Sequence, residues 1–175
     1  VMYDPIAQVW NKFDGATGKV VNISDAIGYP MFVESYDKPA PAPAYGIAGW
    51  TADGNNVFLY DAYDWWKIDL TGERQPECLT KGYGRKHGKS IRKMTSNIDK
   101  DVFQKDEKVI VSLWDKDTMD EGVYQLDMKG RLRKLMEGNY VYTIHRFSDN
   151  HEYCVWNRQN VSEFRDLWWS KSDFS

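Results

Sequence analysis

Little in this chain invites covalent chemistry. It carries only two cysteines and three histidines in 175 residues. Cys78 and Cys154 fall at different positions of different repeat units, so they read as two buried thiols rather than a disulfide. A structural zinc site needs four clustered ligands, and His87, His145 and His151 lack a matching cysteine or histidine spacing, so no metal and no cofactor is expected. No Gly-x-Ser-x-Gly elbow occurs, and no histidine has an evident Ser or Cys partner, so no residue is assigned a catalytic role. The acidic pairs Asp106-Glu107 and Asp120-Glu121 sit just before strand-like runs, where turn chemistry accounts for them. No apolar run approaches the ~20 residues needed to span a bilayer. Large blocks of one charge are missing too: the net charge is -3 and opposite signs are interspersed, which argues against a nucleic-acid partner.

What the chain does have is aromatic side chains and repetition. Aromatics make up 15% of it, with eight Trp and eleven Tyr, a composition that suits half-buried strands and argues against disorder. The phrase Asp64-Trp65-Trp66-Lys67-Ile68-Asp69-Leu70-Thr71-Gly72 recurs as Glu121-Gly122-Val123-Tyr124-Gln125-Leu126-Asp127-Met128-Lys129-Gly130. Trp66 matches Tyr124, Ile68 matches Leu126, Asp69 matches Asp127 and Gly72 matches Gly130. A looser copy runs from Val9 to Gly18, and a truncated one covers Asp166-Leu167-Trp168-Trp169. Upstream, Gly49-Trp50-Thr51-Ala52-Asp53-Gly54 leading into Asn55 to Tyr60 is echoed by Arg146-Phe147-Ser148-Asp149-Asn150 leading into His151 to Trp156, a hairpin signal in both places.

Each unit therefore reads as four antiparallel strands, the third aromatic and ending in Asp before a Gly turn. Four such strands make a propeller blade. The predicted fold is all-β, a partial β-propeller of about three to four four-stranded antiparallel blades within one domain, 1-175, with blade pieces at about 7-22, 45-80, 90-136 and 140-170. The aromatics taken as equivalent, Trp10, Trp66, Tyr124 and Trp169, are 56, 58 and 45 residues apart, near the period of propeller repeats. The longer intervals hold insertions: the proline-rich Tyr29 to Ala44 and the basic Lys81 to Lys93. The first unit lacks its opening strands and the last its final one, so the chain reads as a piece of a larger protein.

Two segments invite a functional reading. Gly82-Tyr83-Gly84-Arg85-Lys86-His87-Gly88-Lys89-Ser90 looks like a phosphate-binding loop, but the motif needs a glycine where Tyr83 stands, and a strand-like run, Ile91 to Thr95, follows instead of a helix. A solvated, charged connection between blades is the expectation there. Trp65-Trp66 and Trp168-Trp169 could stack on sugars, but neighbours in a strand point to opposite faces, so each pair is expected to fill two inter-blade layers. Trp66→Ala should then cost roughly 3-5 kcal/mol if that ring is fully buried.

The runs Tyr45 to Asp53, Tyr60 to Asp69 and Leu79 to Lys86 resemble the amino-terminal propeller of prolyl oligopeptidase-family serine peptidases, in particular the dipeptidyl peptidase IV-like enzymes of Bacteroides-type bacteria. Thr51-Ala52-Asp53-Gly54 and Ser148-Asp149 are also similar to the Ser-Pro-Asp-Gly-like turn of TolB-type propellers, with Ala52 in place of the proline. The resemblance implies a noncatalytic propeller segment that gates peptide access to, and scaffolds, a downstream α/β-hydrolase domain carrying a Ser-Asp-His triad. It also implies a periplasmic or secreted parent enzyme acting on peptide substrates. No triad motif lies in these residues, and the Glu pair with which dipeptidyl peptidase IV relatives hold the substrate amino terminus has no counterpart, since no Glu-Glu occurs. The alternative is a stand-alone TolB-like binding propeller that contacts a protein or polysaccharide; a propeller lyase or glycosidase is a weaker third. A row of blades that does not close leaves sheet faces and a strand edge exposed, so the chain by itself is expected to self-associate.

Overall fold

A computed structural model describes residues 1–96 and 100–175. Its strands are β1 (Met2–Asp4), β2 (Val9–Phe13), β3 (Val20–Asn22), β4 (Ile47–Thr51), β5 (Asn56–Tyr60), β6 (Trp65–Asp69) and β7 (Glu77–Cys78), then, beyond a single-turn helix α1 (Tyr83–Lys86), β8 (Lys89–Lys93), β9 (Val102–Phe103), β10 (Lys108–Asp115), β11 (Glu121–Asp127), β12 (Leu132–Gly138), β13 (Val141–Phe147), β14 (Tyr153–Gln159) and β15 (Asp166–Lys171). The protein is all-β. Its strands form four small sheets, ordered β1-β2-β3, β7-β6-β5-β4-β9, β12-β11-β10-β8 and β13-β14-β15. All pairings are antiparallel except that of β9 with β4.

Local chemistry explains the hairpins. Between β4 and β5, Asp53 accepts from Asn55 N at 2.9 Å and Thr51 Oγ1 accepts from Asn56 N at 3.0 Å. The β13–β14 turn repeats the device, Ser148 Oγ accepting from Tyr153 N at 3.0 Å. Four aspartates make the same turn after the third repeat strand: Asp14, Asp69, Asp127 and Asp173 each accept the N–H two residues on, from Ala16, Thr71, Lys129 and Ser175, at 2.9, 2.9, 2.9 and 3.1 Å. An Asp side chain that bonds the backbone two residues ahead closes a turn without a partner strand.

The sheets stack in chain order, with one apolar layer between each neighbouring pair. Trp10, Val57, Leu59 and Ile68 pack between the first and second. Phe58, Trp65, Val111, Tyr124 and Leu126 pack between the second and third, and Val123, Ile144, Cys154 and Trp156 between the third and fourth. Trp65 and Trp66 do face two different layers, as strand alternation requires.

The structure differs from the sequence reading in several places. An additional strand, β1, pairs with β2 ahead of residue 7. Strand β9 leaves the third repeat to extend the second sheet, Trp50 pairing with Val102. The phase of the aromatics also changes. Counted back four residues from the turn aspartate, Trp10, Trp65, Val123 and Trp169 are the equivalent set, so Trp10 and Trp169 correspond to Trp65 rather than Trp66. Hydrogen bonding agrees: Trp10 N donates to Ser24 Oγ at 2.9 Å and Trp65 N to Thr80 Oγ1 at 3.1 Å.

Gly130 shows how tightly the second and third sheets meet. Its φ is +80°, and a Cβ placed there would run into the Leu79 carbonyl oxygen just after β7. Gly130→Ala should therefore lower stability by at least ~1–3 kcal/mol, the strain of a left-handed non-glycine residue, with backbone displacement added. Urea titration of the variant checks this.

Candidate functional site

The densest polar arrangement lies where the β5–β6 link meets the basic segment before β8. Asp61 and Asp64, which flank Ala62 and Tyr63, are 0% and 1% exposed. Asp61 Oδ1 accepts from the backbone N–H groups of Tyr63 and Asp64, both at 2.6 Å, and so holds the link in a tight turn. Its Oδ2 accepts from Trp66 Nε1 at 3.0 Å and from the Arg85 guanidinium at 2.9 Å. Asp64 reaches the other way. It accepts from the Thr80 hydroxyl at 2.6 Å, from Gly84 N at 2.9 Å and from Arg85 N at 3.0 Å.

This geometry answers the phosphate-loop likeness. Gly82 adopts a left-handed conformation and opens a single helical turn whose N–H groups point at an anion, but that anion is the protein's own Asp64 carboxylate. Gly84 is buried under the link: a Cβ there would lie 2.6 Å from Tyr63 O and 2.7 Å from Lys89 O. The glycine serves close packing between two backbone segments.

The basic side chains of the segment are also largely engaged, contrary to the expectation of a solvated connection. Arg85 lies over the rings of Tyr29 and Tyr63, at 3.8 and 4.9 Å from their centroids. Burial works against its charge, but the Asp61 hydrogen bond and charge outweigh it and raise its pKa above the usual arginine range. Arg92 donates to Asp61 O at 2.7 Å and to Ile91 O at 2.8 Å and stacks on Tyr60 and Tyr45; its burial lowers its pKa. Lys93 pairs with Asp101 at 3.0 Å. These partners turn a row of cations into internal ties.

A second charged knot joins β8 to β12. Glu137 accepts from Lys89 at 2.7 Å, Lys134 at 3.0 Å and Tyr124 Oη at 3.2 Å. The Lys89 hydrogen bond is the main reason the Glu137 pKa falls from the ordinary 4.5 to about 2, against the opposing effect of burial. Burial, with the Glu137 charge adding to it, pushes the Tyr124 phenol up. Because the folded-state pKa of Glu137 is depressed, its contribution is complete above pH 4.5 and fades as pH falls toward about 2. Acid unfolding should show this: between those values the native protein loses more stability than Glu137→Gln, by ~1 kcal/mol for a partly exposed pair.

The remaining candidates from the sequence are scattered. Cys78 is half-buried and Cys154 buried, both unpaired, and burial raises both thiol pKa values, which suits inert thiols. His87 lies against the Tyr83 ring at 4.4 Å, His145 Nε2 is 2.6 Å from Asn157 Nδ2, and His151 sits in the β13–β14 turn at φ 58°. Among the described residues no three His, Cys, Asp or Glu side chains converge as metal ligands. Nor is any described helix long and apolar enough to cross a membrane. Glu121, the second residue of the Asp120-Glu121 pair, is half-buried; desolvation raises its pKa, and it accepts from Tyr142 N at 2.7 Å, tying the third sheet to the fourth.

The two tryptophan pairs part company. Trp65 is fully buried, and its indole N–H donates to Ile91 O at 3.2 Å. Trp168 stacks on Trp156 at 5.9 Å, but Trp169, expected in a layer, is 73% exposed. The Asp61, Asp64, Arg85 and Arg92 hub was not singled out in the sequence. Its available signal was Asp61-x-x-Asp64 ahead of a basic run within a chain of otherwise mixed charge.

In comparisons with known proteins, no family model, no curated protein and no solved structure matches this chain.

Proposed function

We propose that the four sheets are consecutive blades of a β-propeller, and that this propeller segment serves as the noncatalytic gate and scaffold of a prolyl oligopeptidase-family serine peptidase. The observation that carries the reading is the repeat itself. Meander sheets stack in chain order through apolar layers, each third strand ends in the same Asp turn, and the most buried polar groups are spent on holding a link and a loop together. Such an array presents inter-strand loops on a rigid base, the arrangement by which a protein without reactive groups controls access to a site elsewhere. In this reading the parent enzyme is periplasmic or secreted, its substrates are peptides, and an α/β-hydrolase domain downstream supplies Ser, Asp and His.

The test is direct. The coding sequence beyond Ser175 should contain a Gly-x-Ser-x-Gly segment followed by Asp and His, and the full gene product should cleave short peptides while sparing folded proteins. A gene with no hydrolase segment would sink the peptidase reading.

A further inference from the structure

We propose that a cleft beside the second sheet binds a carboxylate carried on a flat apolar body, either a free aromatic acid or the carboxy terminus of a peptide that ends in an aromatic residue. The inference rests on how three links meet, not on the peptidase reading. The β3–β4 link brings Tyr29, the β5–β6 link Asp61 and Asp64, and the β7–β8 link Arg85 and Lys86. With Trp66 of β6 they border a space of about 410 Å³, within the roughly 300–1,000 Å³ of small-molecule sites. Every wall comes from residues 29–86, inside the row of sheets.

The charges of the cleft select its guest. Asp61 accepts from Tyr63 N, Asp64 N, Trp66 Nε1 and Arg85, and Asp64 from the Thr80 hydroxyl, Gly84 N and Arg85 N, so these buried carboxylates are saturated and offer little to a cation. The cations are not saturated. Arg85 gives Asp61 only its Nη2, and its Nε and Nη1 have no acceptor among the described residues although the side chain is 29% exposed. Tyr29 and Tyr63 lie over the guanidinium at 3.8 and 4.9 Å, which fixes its plane and leaves its edge as the route to further acceptors. Lys86 is exposed and forms no ion pair among the described residues. A fixed guanidinium edge and a second cation on the same cleft suit a carboxylate. The rings of Tyr29 and Trp66, 6.1 Å apart and tilted by 47°, add an apolar wall for a flat body.

Isothermal titration calorimetry of the 175-residue chain with phenylpropionate tests this. Binding should be one-to-one, and phenylpropanamide, which keeps the ring but not the charge, should bind at least about tenfold more weakly. Lys86→Glu and Tyr29→Ala, both at surface positions, should each weaken phenylpropionate binding by about tenfold while circular dichroism stays native. Lys129→Glu makes the same charge change in the β11–β12 turn and should leave binding as it was. An acetylated tripeptide of two alanines and a terminal phenylalanine, with its carboxy terminus free or amidated, separates the two sources. Tighter binding of the free form than of phenylpropionate assigns the cleft to chain ends; weaker binding assigns it to free acids. No heat of binding at any soluble concentration of phenylpropionate would overturn the proposal. So would equal affinity for acid and amide, or a Lys129→Glu effect as large as that of Lys86→Glu.

Discussion

Trp65→Ala should lower the stability of this protein by ~3–5 kcal/mol, the largest loss available to a single core truncation. Trp65 is 0% exposed and lies among Phe58, Tyr60 and Phe103, with its ring edge-on to Tyr60 at 5.3 Å. It also ties the second sheet to the third, because its indole N–H donates to Ile91 O in β8. In thermal melts of a chain this size the loss should appear as a fall of about 6–20 °C. Trp65→Phe keeps most of the apolar contact and removes one of two donors to Ile91 O, which retains Arg92, so a loss of ~0.5–1.5 kcal/mol is expected. Trp169→Ala is the control: in the dilute monomer an exposed ring should change stability by no more than ~0.5 kcal/mol. Equal effects at the two positions would contradict the layer assignment. The loss is placed at Trp65 rather than Trp66, which is only half-buried.

Asp61→Ala should cost about as much, ~3–5 kcal/mol, for a different reason. Four donors converge on this carboxylate, and truncation leaves Arg85 without its anion and three N–H groups without an acceptor. Asp61→Asn separates the two contributions. Its amide oxygen can still accept from the Tyr63 and Asp64 backbone, but its NH2 group must then face Trp66 Nε1 and Arg85, which only donate. Asn should therefore recover part of the loss and leave the Arg85 side chain displaced. Denaturant titration gives the energies, and the chemical shifts of the Arg85 guanidinium report its release. An Asn variant as stable as the native protein would mean that the charge contributes nothing.

Strand chemistry was legible because it is local. Period-two alternation, the Thr51 to Gly54 and Ser148 to Asn150 turns and the Asp-to-Gly phrases all act within a few residues, and they mark an all-β chain of repeated units. The phase of the repeat was only half legible. Trp66 and Tyr124 align by eye because both are aromatic, yet the turn aspartate sets which face a side chain takes, and it aligns Trp10 with Trp65. Aromatic identity is a weaker guide to orientation than distance from a turn, since one residue of shift exchanges the two faces of a strand.

The buried hub was illegible for another reason. Asp64 meets Gly84 and Arg85 across 20 and 21 residues of chain, and nothing in local sequence distinguishes an aspartate that caps a distant loop from one that faces water. The same holds for Arg85 and Arg92, which read as solvated cations until Asp61 and the rings of Tyr29, Tyr60 and Tyr63 surround them.

By itself, then, the order of residues determined strands, turns and their repetition, because these follow from steric alternation and from hydrogen bonds between near neighbours. Only the tertiary structure decided which tryptophans are covered, which charges are neutralised and that β9 crosses to a neighbouring sheet. Those outcomes depend on surfaces meeting across dozens of residues, where burial and pairing are properties of two segments together and of neither alone.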